Sequence, residues 1–385
     1  MVTDKQELEE HSLDEVVIVD NGTGVEIEDT SAGEEISEPF DPALIRVDTR
    51  PMTIDLLRLR IEYQELDLAP GFQRKGGIWK DEAQSRLIES MLIRIPLPAF
   101  YMDATNDEKW LVVDGLQRLT TLKRFMIEKS LRLSGMEFLT HLNGKSYNEL
   151  PRNYQRRIAE TQVTVYLIEK GTPDTVKFNI FKRINTGGLP LSAQEIRHAL
   201  NQGEATKLLT ELAESNSFKR AVDYGIRDDR MADRECILRF LAFTIAPYTS
   251  FTKDFDSFLN RAMVEINKMT DQEREHLCYQ FEQAMIRARD LFGNDAFRKR
   301  YSESASRQPI NKPLFESWSV NLSQLSNEQV QTLRNRKDVL RGKFIALMND
   351  SSRKFNEAVS LATGDPKKVR LRFEAIKQLI EEVLS

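Results

Sequence analysis

Cys236, Cys278, His11, His141, His198 and His276 are the only cysteines and histidines in this 385-residue chain. Neither cysteine has a CxxC partner or a neighbouring histidine pair, so the pattern points to no disulfide framework and no zinc site. Two reduced cysteines in core positions are the expectation. No window approaches 18 uninterrupted apolar residues, and the start MVTDKQELEE has neither the basic opening nor the apolar stretch of a secretory signal. The expected location is cytoplasmic, with no membrane partner. Fixed-period repeats, low-complexity tracts and heptad runs are also missing, which sets aside solenoids and coiled coils.

What is present is a strong asymmetry of charge. Residues 1–40 carry 13 Asp/Glu against one Lys, a net of −12, while the whole chain is −5. A mildly basic body therefore follows an acidic tail. Residues 1–42 hold too few apolar groups to offset their ordering entropy and are expected to be mostly disordered, although Val16–Val19 could add an edge strand. Two roles are open for this tail: a solvating extension, or an acidic mimic of nucleic acid that occupies the basic body until displaced.

Apolar periodicity divides the remainder into an α+β arrangement. A short helix is expected after Pro51, then a strand near Leu66 and Leu68. Helical spacing follows at 81–93, strands at 99–102 and 110–113 form a hairpin, a helix runs over 116–126, and a strand at 163–168 precedes a helix at 174–183. Beyond residue 215 only helical spacing is found, at 233–247, 255–268, 271–291, 327–348, 351–362 and 366–384, with Gly293, Pro309 and Pro313 read as breaks. The expected division is a tail at 1–42, an α/β domain at 43–214 and an irregular helical domain at 215–385.

The stretch WLVVDGLQRLTTL, residues 110–122, carries the most chemistry. An apolar strand delivers Asp114 and Gly115 to a tight turn, and the next helix opens with unpaired backbone N–H groups beside Gln117, Arg118, Thr120 and Thr121, a place suited to an anion. Arg118 could fork onto a phosphate, and Asp114 could hold a divalent ion such as Mg²⁺ or orient an arginine or a ribose hydroxyl. The plainer alternative makes Asp114 a helix cap and Arg118 a surface residue. A second cluster, FKRINTGGLPLSAQEIRHAL, ends one helix at Asn185-Thr186-Gly187-Gly188 and opens another at Ser192 with Glu195 three residues on, the capping-box pattern. It gathers Lys182, Arg183, Asn185, Thr186, Arg197 and His198 around a glycine turn. A third piece, Gly71-Phe72-Gln73-Arg74, places one more arginine before Trp79.

Together GFQR…W, LIESMLIRIPLP, VVDGLQRLTTL and FKRINTGGLPLSAQEIRHAL closely resemble the N-terminal domain family of GmrSD-type restriction endonucleases, whose hallmark is a DGQQR motif on a ParB/sulfiredoxin-like fold. The helical half also looks similar, at 229–240 and 291–298, so the resemblance covers most of the chain after the tail. One departure is clear: Leu116 stands where the hallmark has its first Gln, which removes a polar group from the implied pocket. The resemblance implies binding, with hydrolysis, of a nucleoside triphosphate with Mg²⁺, used to license attack on foreign DNA. By carry-over Asp114, Gln117 and Arg118 would be catalytic, with Arg74, Gly115, Thr120, Thr121, Arg183, Asn185, Thr186 and Arg197 contacting nucleotide. The alternatives are a non-catalytic, nucleotide-switched DNA-binding regulator and a weak ParB-like nickase.

Family members that cut DNA commonly carry an HNH-type module. The histidines of this chain show no such arrangement, so a separate nuclease subunit is an expected partner, beside DNA and a second copy of the chain. For DNA contact the candidate cations are Arg227, Arg230, Arg234, Arg298, Lys299 and Arg300, which could neutralise backbone phosphates. Interspersed Glu and Asp leave open that these are simply solvated mixed-charge faces.

Overall fold

The computed structural model describes residues 23–28, 45–68, 79–184, 191–227, 230–252 and 254–385. Val16–Val19, Arg74, Asn185 and Thr186 therefore lie outside the described residues. One mixed sheet contains β1 (Val47–Thr53), β2 (Leu66–Asp67), β3 (Phe100–Asp103), β4 (Trp110–Asp114) and β5 (Gln162–Ile168), in the order β1-β5-β3-β4-β2. The β1/β5 and β3/β4 pairs are antiparallel, and β3/β5 and β2/β4 are parallel. The expected hairpin is the β3/β4 pair. Strand β1 was not visible as a strand because Pro51 interrupts it; as an edge strand it tolerates the missing N–H.

Helices α1 (Ile54–Glu62), α2 (Asp81–Leu92), α3 (Leu116–Leu122) and α4 (Arg152–Ala159) accompany the sheet. Thr53 caps α1 by accepting from the Leu56 N–H, and α2 opens with Asp81 and Glu82 where the helix dipole favours them. Ile54, Leu57, Ile88, Met91 and Leu92 pack on Phe100, Met102, Val112, Leu119 and Leu122 to form the first core. Glu89, in the middle of α2, turns inward and accepts the N–H groups of Glu137, Phe138 and Leu139 at 3.0, 2.8 and 2.7 Å. These bonds hold its carboxyl below its ordinary range against the opposing effect of burial.

Helices α5 (Asp174–Ile184) and α6 (Ala193–Leu200) set Phe178, Phe181 and Ile196 against Val113 and Ile168, and so join sheet to bundle. Ser192 caps α6 by accepting from the Glu195 N–H at 3.1 Å, as the capping box required. The bundle comprises α7 (Glu204–Glu214), α8 (Asn216–Ala221), α9 (Ala232–Ile245), α10 (Phe255–Lys268), α11 (Asp271–Phe292), α12 (Lys312–Ser323), α13 (Asn327–Asn335), α14 (Lys337–Met348), α15 (Lys354–Ser360) and α16 (Pro366–Leu384).

Helix α7 buries Ala205, Leu208, Leu209 and Leu212 in the bundle core. Two expectations change here. Pro313 does not break a helix: it sits in the first turn of α12, where its missing N–H has no intrahelical partner to lose, and Asn311 caps that turn. The expected single helix over 327–348 is two, parted at Arg336, whose backbone leaves helical geometry at φ −109°, ψ 22°. Among the described residues no helix is long and apolar enough to cross a membrane.

The acidic tail brings the largest change. Residues 23–28 are docked on the bundle, with Val25 in its core and the Glu26 N–H donating to the Ile310 carbonyl at 2.8 Å.

Candidate functional site

The hinge of the site is Gly115, between β4 and α3. Its φ of +102° is left-handed, and a Cβ built there would meet the Phe100 ring at 2.3 Å, so both conformation and space demand glycine. No side chain caps α3, whose first-turn N–H groups begin immediately after the turn. The helix then continues as a π-helical turn over Lys123–Ile127, a widening that the simple periodicity of 116–126 does not reveal. The register of β3 against β4 shifts between Tyr101 and Met102, leaving Asp114 opposite Tyr101. Such irregularities re-aim side chains at strand ends.

Arg118 lies four residues from Asp114 on the first turns of α3 and donates to its Oδ2 at 2.9 Å. The same guanidinium donates to the Ala99 carbonyl at 3.1 Å and to the Pro98 carbonyl, and lies over the Phe100 ring. The side chain of Arg118 is 9% exposed and that of Asp114 is 24% exposed, so the carboxylate, and not the arginine, is the member of the pair open to solvent. Burial pushes the Asp114 carboxyl above its ordinary range despite Arg118 and the Gly115 N–H, and burial lowers the Arg118 guanidinium. Arg118 thus positions Asp114 and ties α3 to the 98–99 segment, a use of the fork different from phosphate contact.

Gln117 uses its Oε1 to accept the Trp79 N–H at 3.1 Å, anchoring the residue that enters α2. Thr121 is fully buried and donates back to the Gln117 carbonyl at 2.8 Å, a contact within the helix. Thr120 is half-buried on the same helix.

Two groups that sequence reasoning missed complete the surroundings. Tyr101 on β3 and Tyr166 on β5 are register partners with rings stacked at 4.8 Å and 19°. Burial raises the Tyr101 phenol, with the nearby Tyr166 and Asp114 adding to the effect. Only the strand pairing identifies them, because the tyrosines lie 65 positions apart in the chain and neither belongs to a motif.

The second cluster goes elsewhere. Arg197 is buried on α6 and donates to Gln194 at 2.6 Å and to Asp256 of α10 at 2.7 Å. Lys182 pairs with the same Asp256 at 3.2 Å, and Arg183 is exposed in the last turn of α5. Asp114, Gly115, Gln117 and Arg118 therefore lie together at the β4–α3 junction, whereas Arg197 serves the junction with the bundle.

The basic residues considered for DNA divide sharply. Arg227 is exposed. Arg230 pairs with Glu195 at 3.3 Å and Arg234 with Asp233 at 3.6 Å. Arg298 and Lys299 are each 3% exposed: Arg298 donates to the Asn294 and Val222 carbonyls, and Lys299 donates to Glu26 and Ser360. Arg300 closes on the Glu303 and Ala305 carbonyls. Buried and internally bonded, Arg298 and Lys299 are parts of the bundle and not of a phosphate-tracking surface.

Among the described residues no three His, Cys, Asp or Glu side chains gather as a metal site.

Residues 55–201 match the family model described as GmrSD restriction endonuclease, N-terminal domain. No curated protein matches the chain.

Proposed function

With residues 55–201 belonging to the GmrSD restriction endonuclease N-terminal domain family, we propose that this domain binds a nucleoside triphosphate at the β4–α3 junction, hydrolyses it, and so controls DNA restriction in defence. The observation that carries this reading is the uncapped start of α3 behind a left-handed Gly115, beside an Asp114 carboxylate that Arg118 holds in place. Backbone N–H groups at such a turn suit phosphate oxygens, and the partly exposed Tyr101–Tyr166 stack offers an aromatic surface for a base. Asp114, with its proton affinity raised by burial, is the group here able to take a proton from an attacking water. A magnesium ion arriving with the triphosphate would neutralise phosphate charge. The ParB/sulfiredoxin-like classification belongs to this same reading, supported by a mixed sheet whose Asp-Gly strand end feeds a helix. DNA, and a nuclease acting on it, are the partners proposed.

A second reading, binding without turnover, is favoured by one contact. Gln117 is tied to the Trp79 N–H, so it is placed to report ligand occupancy to the start of α2 and is not free to orient a water. Binding and phosphate release with each of the four ribonucleoside triphosphates and Mg²⁺, with and without DNA, separate the two. Asp114→Asn should abolish release while leaving most of the binding. Binding without release in the unaltered protein establishes the second reading, and absence of binding overturns both.

A further inference from the structure

The docked piece of the acidic tail is held by its charges. Glu28 lays its carboxylate across the Arg239 guanidinium, with Oε1 2.9 Å from Nη1, and also accepts from Thr363 at 2.8 Å. Lys312 stands 3.6 Å from its other oxygen. Glu26 accepts from Lys299 at 2.6 Å and from Asn311 at 3.0 Å. The side chains of Arg239 and Glu28 are 5% and 7% exposed, so this is a built site and not a surface encounter.

The bundle alone does not balance these cations. Among the described residues, Arg239, Lys312, Lys299 and Arg372 are paired from the bundle with Glu235 and Glu316, and Glu316 is itself committed to Arg372. A buried surplus of positive charge requires an anion. Glu26 and Glu28 supply it, from a segment 211 positions away from Arg239 in the chain.

Beyond these charges the strap is attached by Val25 in the bundle core, by the reciprocal bonds of Glu26 and Gly24 with Ile310, and by the Arg227 N–H to the Thr23 carbonyl. Beside the strap lies a cavity of about 410 Å³, lined by Arg239, Lys312, Arg197 and Arg230, by the carboxylates Glu235, Asp254 and Asp256, and by the strap itself. That size suits a small ligand, and a guanidinium that takes a bidentate carboxylate takes a phosphate in the same way.

We propose that residues 23–28 are an internal ligand, and that Arg239 and Lys312 form a phosphate-binding site which the strap occupies until a polyphosphate displaces it. The site is separate from the β4–α3 junction and does not rest on the reading given to Asp114. Its depth favours the end of a polyphosphate chain over a nucleic-acid duplex.

The test places a spin label on Ile27→Cys, a position 53% exposed, in the full chain carrying Cys278→Ser so that only buried Cys236 remains. Tripolyphosphate and a single-stranded oligonucleotide are the two probes. Tripolyphosphate should mobilise the label, and should bind about tenfold tighter when Glu26→Gln and Glu28→Gln together remove the occupant, because a self-occupied site loses apparent affinity by its closed fraction. Val25→Asp, which loosens the strap without touching the cations, should give the same gain and covers the case in which the glutamine pair fails to fold. Release by the oligonucleotide alone overturns the small-ligand assignment. Release by neither probe, with no gain in either variant, makes the strap a structural staple and overturns the proposal. Asp114→Asn should leave release intact; its loss would move the effect to the other site and overturn this one.

Discussion

Two arginine–carboxylate pairs, one in each half of the molecule, use similar parts to opposite ends. In the bundle, Arg372 and Glu316 are both fully buried; Arg372 Nε donates to Glu316 Oε1 at 2.9 Å, Nη2 donates to the same oxygen, and Nη1 donates to the Thr363 and Ala358 carbonyls. In the sheet domain, Arg118 likewise spends its fork on two backbone carbonyls and a carboxylate, but Asp114 keeps 24% of its side-chain surface. A pair closed on all sides can only hold helices together. A pair open at the carboxylate can also act on something outside, and the closed arginine is what keeps that carboxylate aimed.

The largest effect is expected from breaking the closed pair. Arg372→Ala leaves buried Glu316 with only the longer contact to Arg239 at 3.4 Å and should destabilise the bundle by roughly 3–5 kcal/mol, read from the denaturant midpoint. Replacing both members by leucine should lose less than either single change, since no orphan charge remains; a larger loss would mean that the pair is stabilising beyond mutual neutralisation.

Arg118→Ala should come next, at about 2–4 kcal/mol, because the Ala99 and Pro98 carbonyls and Asp114 all lose their donor. Arg118→Lys should recover little of it, for an ammonium cannot reproduce a planar fork. If Arg118→Ala instead left stability unchanged and removed only nucleotide binding, the arginine would be a direct ligand and the contrast between the two pairs would disappear.

His198, on the helix joining the halves, gives a pH-dependent measure. Burial, then the charge of Arg234, lowers its pKa from 6.5 to about 4. Between those values the unfolded chain binds a proton that the folded chain refuses. Stability from this residue is therefore complete above pH 6.5 and is lost as pH falls toward 4, by up to about 3 kcal/mol. Unfolding midpoints over that window should flatten in His198→Gln, and an unchanged slope would assign the acid sensitivity to other groups.

The smallest effect is set at Glu89, a buried carboxylate neutralised by backbone N–H groups in place of an arginine. Glu89→Gln should cost about 1–2 kcal/mol and speed hydrogen exchange at 137–139. Protection unchanged there would show that the segment is held by packing alone.

Local signals were the legible ones. WLVVD followed by GLQR announces β4, its turn and α3, because alternation, glycine and helical spacing are all written within a dozen residues. The Ser192 capping box is equally self-contained. What could not be read depends on partners distant in sequence. Arg118 looks like a phosphate fork until the carbonyls at 98 and 99 are seen to occupy it. Tyr101 and Tyr166 become a stack only through the β3/β5 register. Residues 23–28 read as unfoldable by composition because Val25 and Glu28 find their partners in a bundle that begins about 180 residues later. Pro313 misled for a different reason: proline is a stop inside a helix and a good start at its first turn, and spacing does not say which.

The position of β5 also sets an order of assembly. It lies between β1 and β3, although it is the last strand of the sheet to be synthesised. The β3/β4 hairpin can close from neighbouring residues, but β1 has no place in the sheet until residues 162–168 arrive to pair with it. During synthesis the sheet must therefore wait half-built, with the β3 edge unpaired, until the chain has passed residue 168. Slow elongation across residues 115–160 would lengthen the interval in which that edge is exposed to other chains.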